Sequence, residues 1–234
     1  MKHIRHLIRK LKYKFKFFSK NKNTKLNYVV NATSNSELTD LMNLYGSDKG
    51  GKNNHHNYSE YYSDIFFHKR KRIKNFLEIG LGTNNINMAS NMGADGTPLA
   101  SLRAWKDFFV NANIYGADID KDILKDEERI KTFFVDQTNP ETIKTLFENI
   151  GVDEFDIILE DGLHEYNANI CFFENSIKYL SSNGIYIIED VYYKDKKKFI
   201  KYFKNTDYNY AIVDIFHKKN IANNCVIIVR KNNA

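Results

Sequence analysis

The stretch Asn75-Phe76-Leu77-Glu78-Ile79-Gly80-Leu81-Gly82 governs how the rest of the chain is read. It is an apolar, β-prone run that ends in an acid, followed by two glycines separated by one residue. In an open parallel sheet, ligands bind beyond the carboxyl ends of the strands, and glycine there lets the backbone approach a ligand closely. A tight strand-to-loop turn needs glycine on its own account, so the run alone leaves the ligand open. It is not the dinucleotide fingerprint, because no third glycine follows at the required spacing.

Working outward, apolar β-rich runs alternate with helical patterns from about residue 73 to 190, the signature of βαβ units and a parallel sheet. Five strands are expected: Asn75–Ile79, Asn113–Asp118, Lys131–Val135, Phe155–Leu159 and Ile185–Ile188. Helices are expected at Thr97–Phe109, with Thr97 capping and Pro98 at the first helical position, at Asn139–Asn149 with Asn139 and Pro140 in the same parts, and at Glu165–Leu180. Earlier come a short helix (Glu37–Leu44), a Gly- and Asn-rich loop (Gly46–Asn57) and a second helix (Ser59–His68). Later come a surface helix (Lys194–Lys204) and two runs, Tyr208–Phe216 and Cys225–Arg230, that read as an antiparallel pair. The fold class is therefore α/β: a mostly parallel seven-stranded sheet with helices on both faces and a C-terminal antiparallel strand pair.

The 234 residues, with 42% hydrophobic and 27% charged side chains, have the composition of a globular protein rather than a disordered one. No apolar run approaches the ~20 residues of a membrane-spanning helix, and the basic N-terminus lacks a signal peptide's apolar core. Cys171 and Cys225 are far apart and outside any metal-ligand spacing, which excludes a disulfide framework and points to a reducing cytoplasm. The net charge of +6 lies at one end: residues 1–25 hold ten basic residues and no acid, so the remainder is −4. The chain divides accordingly into a basic arm, 1–36, and a main domain, 37–234. Within the arm, Ile4, Leu7, Ile8, Leu11, Phe15 and Phe18 recur at helical spacing. Such a helix packs on its own domain or on a second subunit, which favours a homo-oligomer, or rests on an anionic membrane surface.

Two further strand ends fit a nucleoside-bearing ligand. Strand two ends in Gly116-Ala117-Asp118, whose carboxylate can accept both hydroxyls of a ribose, and strand three ends in Val135-Asp136-Gln137, a polar pair that can read an adenine edge. Strand ends are commonly polar, but glycine turn, ribose acid and adenine pair also fall here in the right order. Strand four ends in Glu160-Asp161-Gly162-Leu163-His164 and strand five in Glu189-Asp190. Neighbouring parallel strands bring Asp161, Glu189 and Asp190 to one crevice, where their mutual repulsion calls for a cation. Three carboxylates suit Mg²⁺, Mn²⁺ or Fe²⁺ better than zinc. His164 lies three residues past Asp161, and an imidazole is a side chain suited to a general base near neutral pH.

Through Glu78-Ile79-Gly80-Leu81-Gly82, Asp118 and Asp136-Gln137 the chain resembles the class I S-adenosylmethionine-dependent methyltransferases over residues 38–193. Within them it is similar to the metal-dependent O-methyltransferases of macrolide deoxysugars, in Tyr45-Gly46-Ser47-Asp48-Lys49-Gly50, His56-Asn57-Tyr58-Ser59 with Tyr62, Ser101-Leu102-Arg103-Ala104-Trp105, Asp161-Gly162-Leu163-His164 and Ile188-Glu189-Asp190. That resemblance implies a Rossmann-like methyltransferase fold and two cofactors, S-adenosylmethionine and a divalent metal. It implies Asp161, Glu189 and Asp190 as metal ligands, with His164 and Asp161 catalytic. Glu78, Gly80, Gly82, Asp118, Asp136, Gln137, Lys49, Tyr58 and Tyr62 would hold S-adenosylmethionine, and Arg103, Tyr192 and His56 would meet the substrate. Two departures stand out: Glu160 occupies a position where aspartate is common, and Val191-Tyr192-Tyr193 follows the second acidic pair. The long loop Thr83–Gly96 is expected to form a lid or acceptor wall.

The expected activity is methyl transfer to a sugar hydroxyl. The Lys-, Asn- and Ile-rich composition with two prolines suggests an AT-rich bacterial genome rather than an antibiotic producer. The expected substrate is thus a nucleotide-linked sugar or one bound for a surface polysaccharide, handled in the cytoplasm or at the inner face of the membrane. A catechol-type O-methyltransferase would share the cofactor and metal sites but needs an apolar acceptor clamp. An RNA methyltransferase would use the basic arm, yet the acidic body repels phosphates, so no nucleic-acid partner is expected.

Overall fold

The computed structural model describes the backbone of residues 24–28 and residues 36–52, 55–217 and 223–232. The amphipathic stripe expected between Ile4 and Phe18 lies outside the described residues. In chain order the elements are β1 (Thr24–Tyr28), α1 (Glu37–Tyr45), α2 (Tyr58–Phe66), β2 (Asn75–Ile79), α3 (Ala100–Phe108), β3 (Asn113–Asp118), β4 (Ile130–Phe134), α4 (Pro140–Ile150), β5 (Phe155–Glu160), α5 (Tyr166–Ser176), β6 (Leu180–Ile188), α6 (Lys196–Lys204), β7 (Asn209–Ile215) and β8 (Cys225–Arg230). They form one sheet in the order β1-β7-β8-β6-β5-β2-β3-β4. Only β8 runs against its neighbours, β6 and β7; the other pairings are parallel. Among the described residues no helix is long and apolar enough to cross a membrane.

The strands are apolar on both faces because helices cover both. Along β5, Ile157 and Leu159 point into one core while Phe155 and Ile158 point into the other, and along β6 Ile185 and Ile187 alternate in the same way with Tyr186 and Ile188. The first core is closed by α1, α2 and α3 through Leu38, Met42, Phe66, Trp105 and Phe108. The second is closed by α4, α5 and α6 through Phe147, Phe172, Phe173, Phe199 and Phe203.

Several bounds shift from the sequence expectation, the helix expected to reach Leu180 ending at Ser176 among them, and three departures have a structural reason. An eighth strand, β1, lies within the segment assigned to the arm and pairs in parallel with β7, Thr24 opposite Ala211. Helix α3 starts at Ala100 rather than Thr97, because Leu99, buried and at φ +64°, donates its N–H to Leu81 O at 2.9 Å and so ties the helix entry to the glycine turn. Strand β6 starts at Leu180 rather than Ile185, since Leu180 pairs with Phe155 ahead of an irregularity in the ladder. Helix α4 begins as expected, the Asn139 side chain accepting from Glu141 N–H with Pro140 in the first turn.

The connections place the site. From β2 the chain moves through β3 to β4 on one side, and β5 and β6 lie on the other. The carboxyl ends of β2 and β5 therefore flank the switch in strand order, where open α/β sheets bind ligands.

Candidate functional site

A cavity of about 530 Å³ opens over these strand ends. Its floor is the glycine turn. Gly80 has φ +84°, and a Cβ there would lie 1.9 Å from the Asp161 carbonyl oxygen, so only glycine lets the β2 and β5 ends pass each other. Met92 folds back over the turn, its N–H donating to Thr83 O at 2.8 Å, and Ser90 Oγ reaches Leu163 O at 3.1 Å. The 83–96 loop is thus one wall, contributing Ser90, Asn91 and Met92 to the lining.

Asp118, 7% exposed, accepts from Leu81 N–H at 2.6 Å with one oxygen and from Asp120 N–H at 2.8 Å with the other. Burial raises its pKa, against the pull of those amides. It clamps the glycine turn, and each oxygen keeps a second lone pair for a ligand hydroxyl. Gln137 is used at both ends within the protein: its Nε2 donates to Glu160 Oε1 at 3.0 Å and its Oε1 accepts from Leu163 N–H at 2.6 Å. The amide expected to read adenine thus also braces the β5 loop, with one N–H and one lone pair left over, and both Gln137 and Asp136 line the cavity.

At the other end the acids converge. Asp161, His164 and Asp190 each offer a ligand atom within 4.8 Å of one another, a spacing suited to one metal ion. His164 Nδ1 is 3.9 Å from Asp161 Oδ1 and its Nε2 3.7 Å from Asp190 Oδ2. His164 and Asp190 both hold positive φ, +58° and +52°, a strained backbone characteristic of functional sites. Buried atoms without a hydrogen-bond partner cluster here: Glu78 Oε2, His164 Nδ1 and Glu189 Oε2. Such a set of oxygen donors with an imidazole nitrogen fits a hard divalent cation.

Glu189, expected as the third metal ligand, stands apart from that group. Its carboxylate is wholly buried, taking a hydrogen bond from Tyr62 Oη at 2.5 Å and facing Lys49 Nζ at 3.1 Å. Burial, then the neighbouring acids Asp161 and Glu78, raise its pKa, while Lys49 opposes them. Lys49 also bonds Asp161 and lies 3.5 Å from Glu78 Oε1. Burial works against its ammonium, but Asp161, Glu189, Asp48 and Glu78 outweigh it and hold its pKa well above the ordinary range. Burial likewise pushes Glu78 up to about 7, although Lys49 lowers it.

Of the other expected residues, Tyr58 and Tyr62 stand behind the acids rather than in the cavity; Tyr58 Oη donates to Asp190 Oδ1 at 2.5 Å. His56 stacks on Tyr58, with Nε2 3.3 Å from Asp190 Oδ1 and Nδ1 3.0 Å from Asn224 Oδ1. Tyr192 does line the cavity. Arg103 does not: it pairs with Glu127 at 2.7 Å and donates to Pro98 O at 3.1 Å, which fixes its guanidinium to the far side of α3. Sequence reading missed Ser101, whose hydroxyl donates to Glu78 Oε1 at 2.9 Å, and Asn169, which holds Glu160. Ser101 stands in a quoted motif, and only the helix rotation reveals its partner; for Asn169 no sequence signal exists.

No family model matches the chain. It is 31% identical, over 66% of its length, to the 8-demethyl-8-alpha-L-rhamnosyl tetracenomycin-C 2'-O-methyltransferase of Streptomyces olivaceus, and 32% identical, over 67%, to the mycinamicin VI 2''-O-methyltransferase of Micromonospora griseorubida. It spans 37% and 36% of the length of those two proteins. Its fold matches the crystal structure of the MycE methyltransferase of mycinamycin biosynthesis in complex with Mg, S-adenosylhomocysteine and mycinamycin VI, with a TM-score of 0.55 and 29% identity over 68% of this chain and 40% of that one.

Proposed function

We propose that this chain, which has the class I S-adenosylmethionine-dependent methyltransferase fold and is homologous to sugar O-methyltransferases, methylates a sugar hydroxyl with the help of a divalent cation. The observation that carries the reading is the approach of Asp161, His164 and Asp190 to within 4.8 Å in the cavity that also holds the glycine turn and Asp118. Asp161 and Asp190 would hold the cation, with Glu189 beside them; Gly80, Gly82, Glu78, Asp118 and Asp136 would surround S-adenosylmethionine. When bound, S-adenosylmethionine supplies a sulfonium methyl group, and a divalent cation lowers the pKa of a coordinated hydroxyl.

The chain's own residues do the rest. His164, whose imidazole lines the cavity, takes the hydroxyl proton. Asp161 and Asp190, at 3.9 and 3.7 Å from its two nitrogens, stabilise the imidazolium that results. As the oxygen–carbon bond forms, the sulfur–carbon bond breaks and its electron pair stays on sulfur. Tyr58 and Tyr62 fix the rotamers of Asp190 and Glu189, so the acids are oriented before substrate arrives.

For the acceptor we favour a nucleotide-linked or surface-polysaccharide sugar in a bacterial cytoplasm, and for the basic residues of 1–25 a contact with the membrane or a second subunit. Support comes from the cavity mouth, where Tyr192 lines the wall and Lys194 Nζ sits 5.4 Å from its ring centroid. From there exposed Lys197, Lys201 and Lys204 follow one side of α6, a basic track that suits a phosphorylated carrier. Ser90 and Asn91, also in the lining, suit a hydroxyl-rich acceptor better than a catechol.

Calorimetric titration with S-adenosylhomocysteine, with and without Mg²⁺, tests the cofactor. Micromolar binding is expected, followed by Mg²⁺-dependent methylation of nucleotide-linked deoxysugars that D190N abolishes without loss of S-adenosylhomocysteine binding. Failure to bind in either condition would sink the reading.

A further inference from the structure

Lys49 is 3% exposed, and its Nζ lies among four carboxylates from four separate pieces of chain. It bonds Asp161 Oδ2 and stands 3.1 Å from Glu189 Oε2, 3.5 Å from Glu78 Oε1 and 3.8 Å from Asp48 Oδ1. The acids come from the ends of β5, β6 and β2 and from the short turn at Asp48–Gly50. Its one hydrogen bond to these acids goes to Asp161, while Glu189 and Glu78 hold it by charge alone. Asp161 is shared: Oδ2 faces Lys49 while Oδ1 faces His164 Nδ1 at 3.9 Å. A divalent ion bound by both Asp161 and Glu189 would need the position between them that Nζ holds.

We propose that Lys49 is a positioning residue: a cation tethered to the chain that draws the ends of β2, β5 and β6 together and competes with the divalent ion for Asp161 and Glu189. The strength of that competition sets how tightly the ion is held. Burying four carboxylates without the ammonium would be costly, so Lys49 preassembles the acids, and the same charge repels an incoming cation. The inference rests on the proposed function only in expecting a divalent ion at these acids. A lysine with a merely structural role would share the first effect and lack the second.

The test uses Mn²⁺ alone, titrated into wild type, K49M and K49R by calorimetry, with thermal melts in EDTA and in Mn²⁺. K49M is expected to melt below wild type in EDTA, to gain more from Mn²⁺ than wild type does, and to bind Mn²⁺ at least about tenfold more tightly. K49R, which keeps the charge, is expected to stay near wild type. Mn²⁺ affinity in K49M equal to or below that of wild type, or no binding by either protein, overturns the proposal.

Should K49M fail to fold, the wild-type protein still decides. With lysine side chains labelled with nitrogen-15, a slowly exchanging ammonium resonance, absent from K49R, is expected to shift as Mg²⁺ is added. A resonance unmoved through saturation refutes the exchange. S-adenosylhomocysteine titrated into the same wild-type sample reads the methyl-transfer proposal separately, so either can fail without the other.

Discussion

Tyr62 Oη donates to Glu189 Oε1 at 2.5 Å, and both side chains are wholly buried. One helical turn earlier on α2, Tyr58 does the same for Asp190. The family resemblance implied that these tyrosines hold the cofactor, whereas here they stand behind the acids and aim them. Y62F leaves a buried carboxylate oxygen without its donor, which costs about 1–3 kcal/mol. A lower melting temperature and slower turnover are expected, with S-adenosylhomocysteine affinity within about twofold of wild type. A large loss of that affinity with unchanged melting would return Tyr62 to the cofactor.

Gly80 and Gly93 both hold positive φ, +84° and +77°, yet their surroundings differ. A Cβ on Gly80 would strike the Asp161 carbonyl oxygen at 1.9 Å; on Gly93 it would meet nothing within 4 Å. G93A therefore pays only for backbone strain, on the order of 1 kcal/mol. G80A must also push β2 and β5 apart, and a loss of about 3 kcal/mol or more is expected, with S-adenosylhomocysteine binding abolished. Equal melting temperatures for the two variants would refute the close approach.

Much of the fold is legible in the sequence because both faces of the sheet are buried. Ile157–Leu159 and Ile185–Ile188 have no polar interruption, and strands of that kind belong to parallel sheets covered by helices. Strand ends are legible for the same reason: polarity can return only where the covering helices stop, as at Asp118, Asp136, Glu160 and Glu189. What the sequence hides is which way each carboxylate turns. Glu189 and Asp190 are adjacent, yet one faces Lys49 and the other His164. Arg103 reads as a site residue in its motif, but half a helical turn carries it to Glu127. Strand β1 escaped notice because Thr24–Tyr28 alternates over only five residues and continues a segment rich in lysine and asparagine.

Burial moves Glu78 from its ordinary 4.5 to about 7, Lys49 and Ser101 notwithstanding. The folded protein therefore holds a proton on Glu78 that the unfolded chain has released, and this difference spans pH 4.5 to 7. Stability falls as pH rises through that window and levels off above it, by an amount on the order of 3 kcal/mol. In E78Q the contribution disappears while the other titrating groups remain. Melting temperatures measured from pH 4.5 to 8 are expected to show wild type losing ground to E78Q as pH rises. Parallel curves would mean that Glu78 stays ionised throughout.

Strand β1 pairs with β7 from Thr24 opposite Ala211 to Tyr28 opposite Ile215, and so covers an edge that is otherwise open. The β7 segment beneath is apolar, with Tyr210, Ala211, Ile212, Val213 and Ile215 all buried. Removing residues 1–23 takes away most of the arm's basic charge but leaves β1, whereas removing 1–28 exposes the unpaired N–H and C=O groups of β7, a template for association between chains. The shorter truncation is expected to stay dispersed and to methylate a soluble acceptor at the full-length rate. The longer one is expected to aggregate or to lose about 1–3 kcal/mol of stability. Light scattering and thermal melts of the two proteins separate the contributions: loss of activity in the shorter truncation would make the charged segment part of substrate capture, and a well-behaved longer truncation would show that β7 needs no cover.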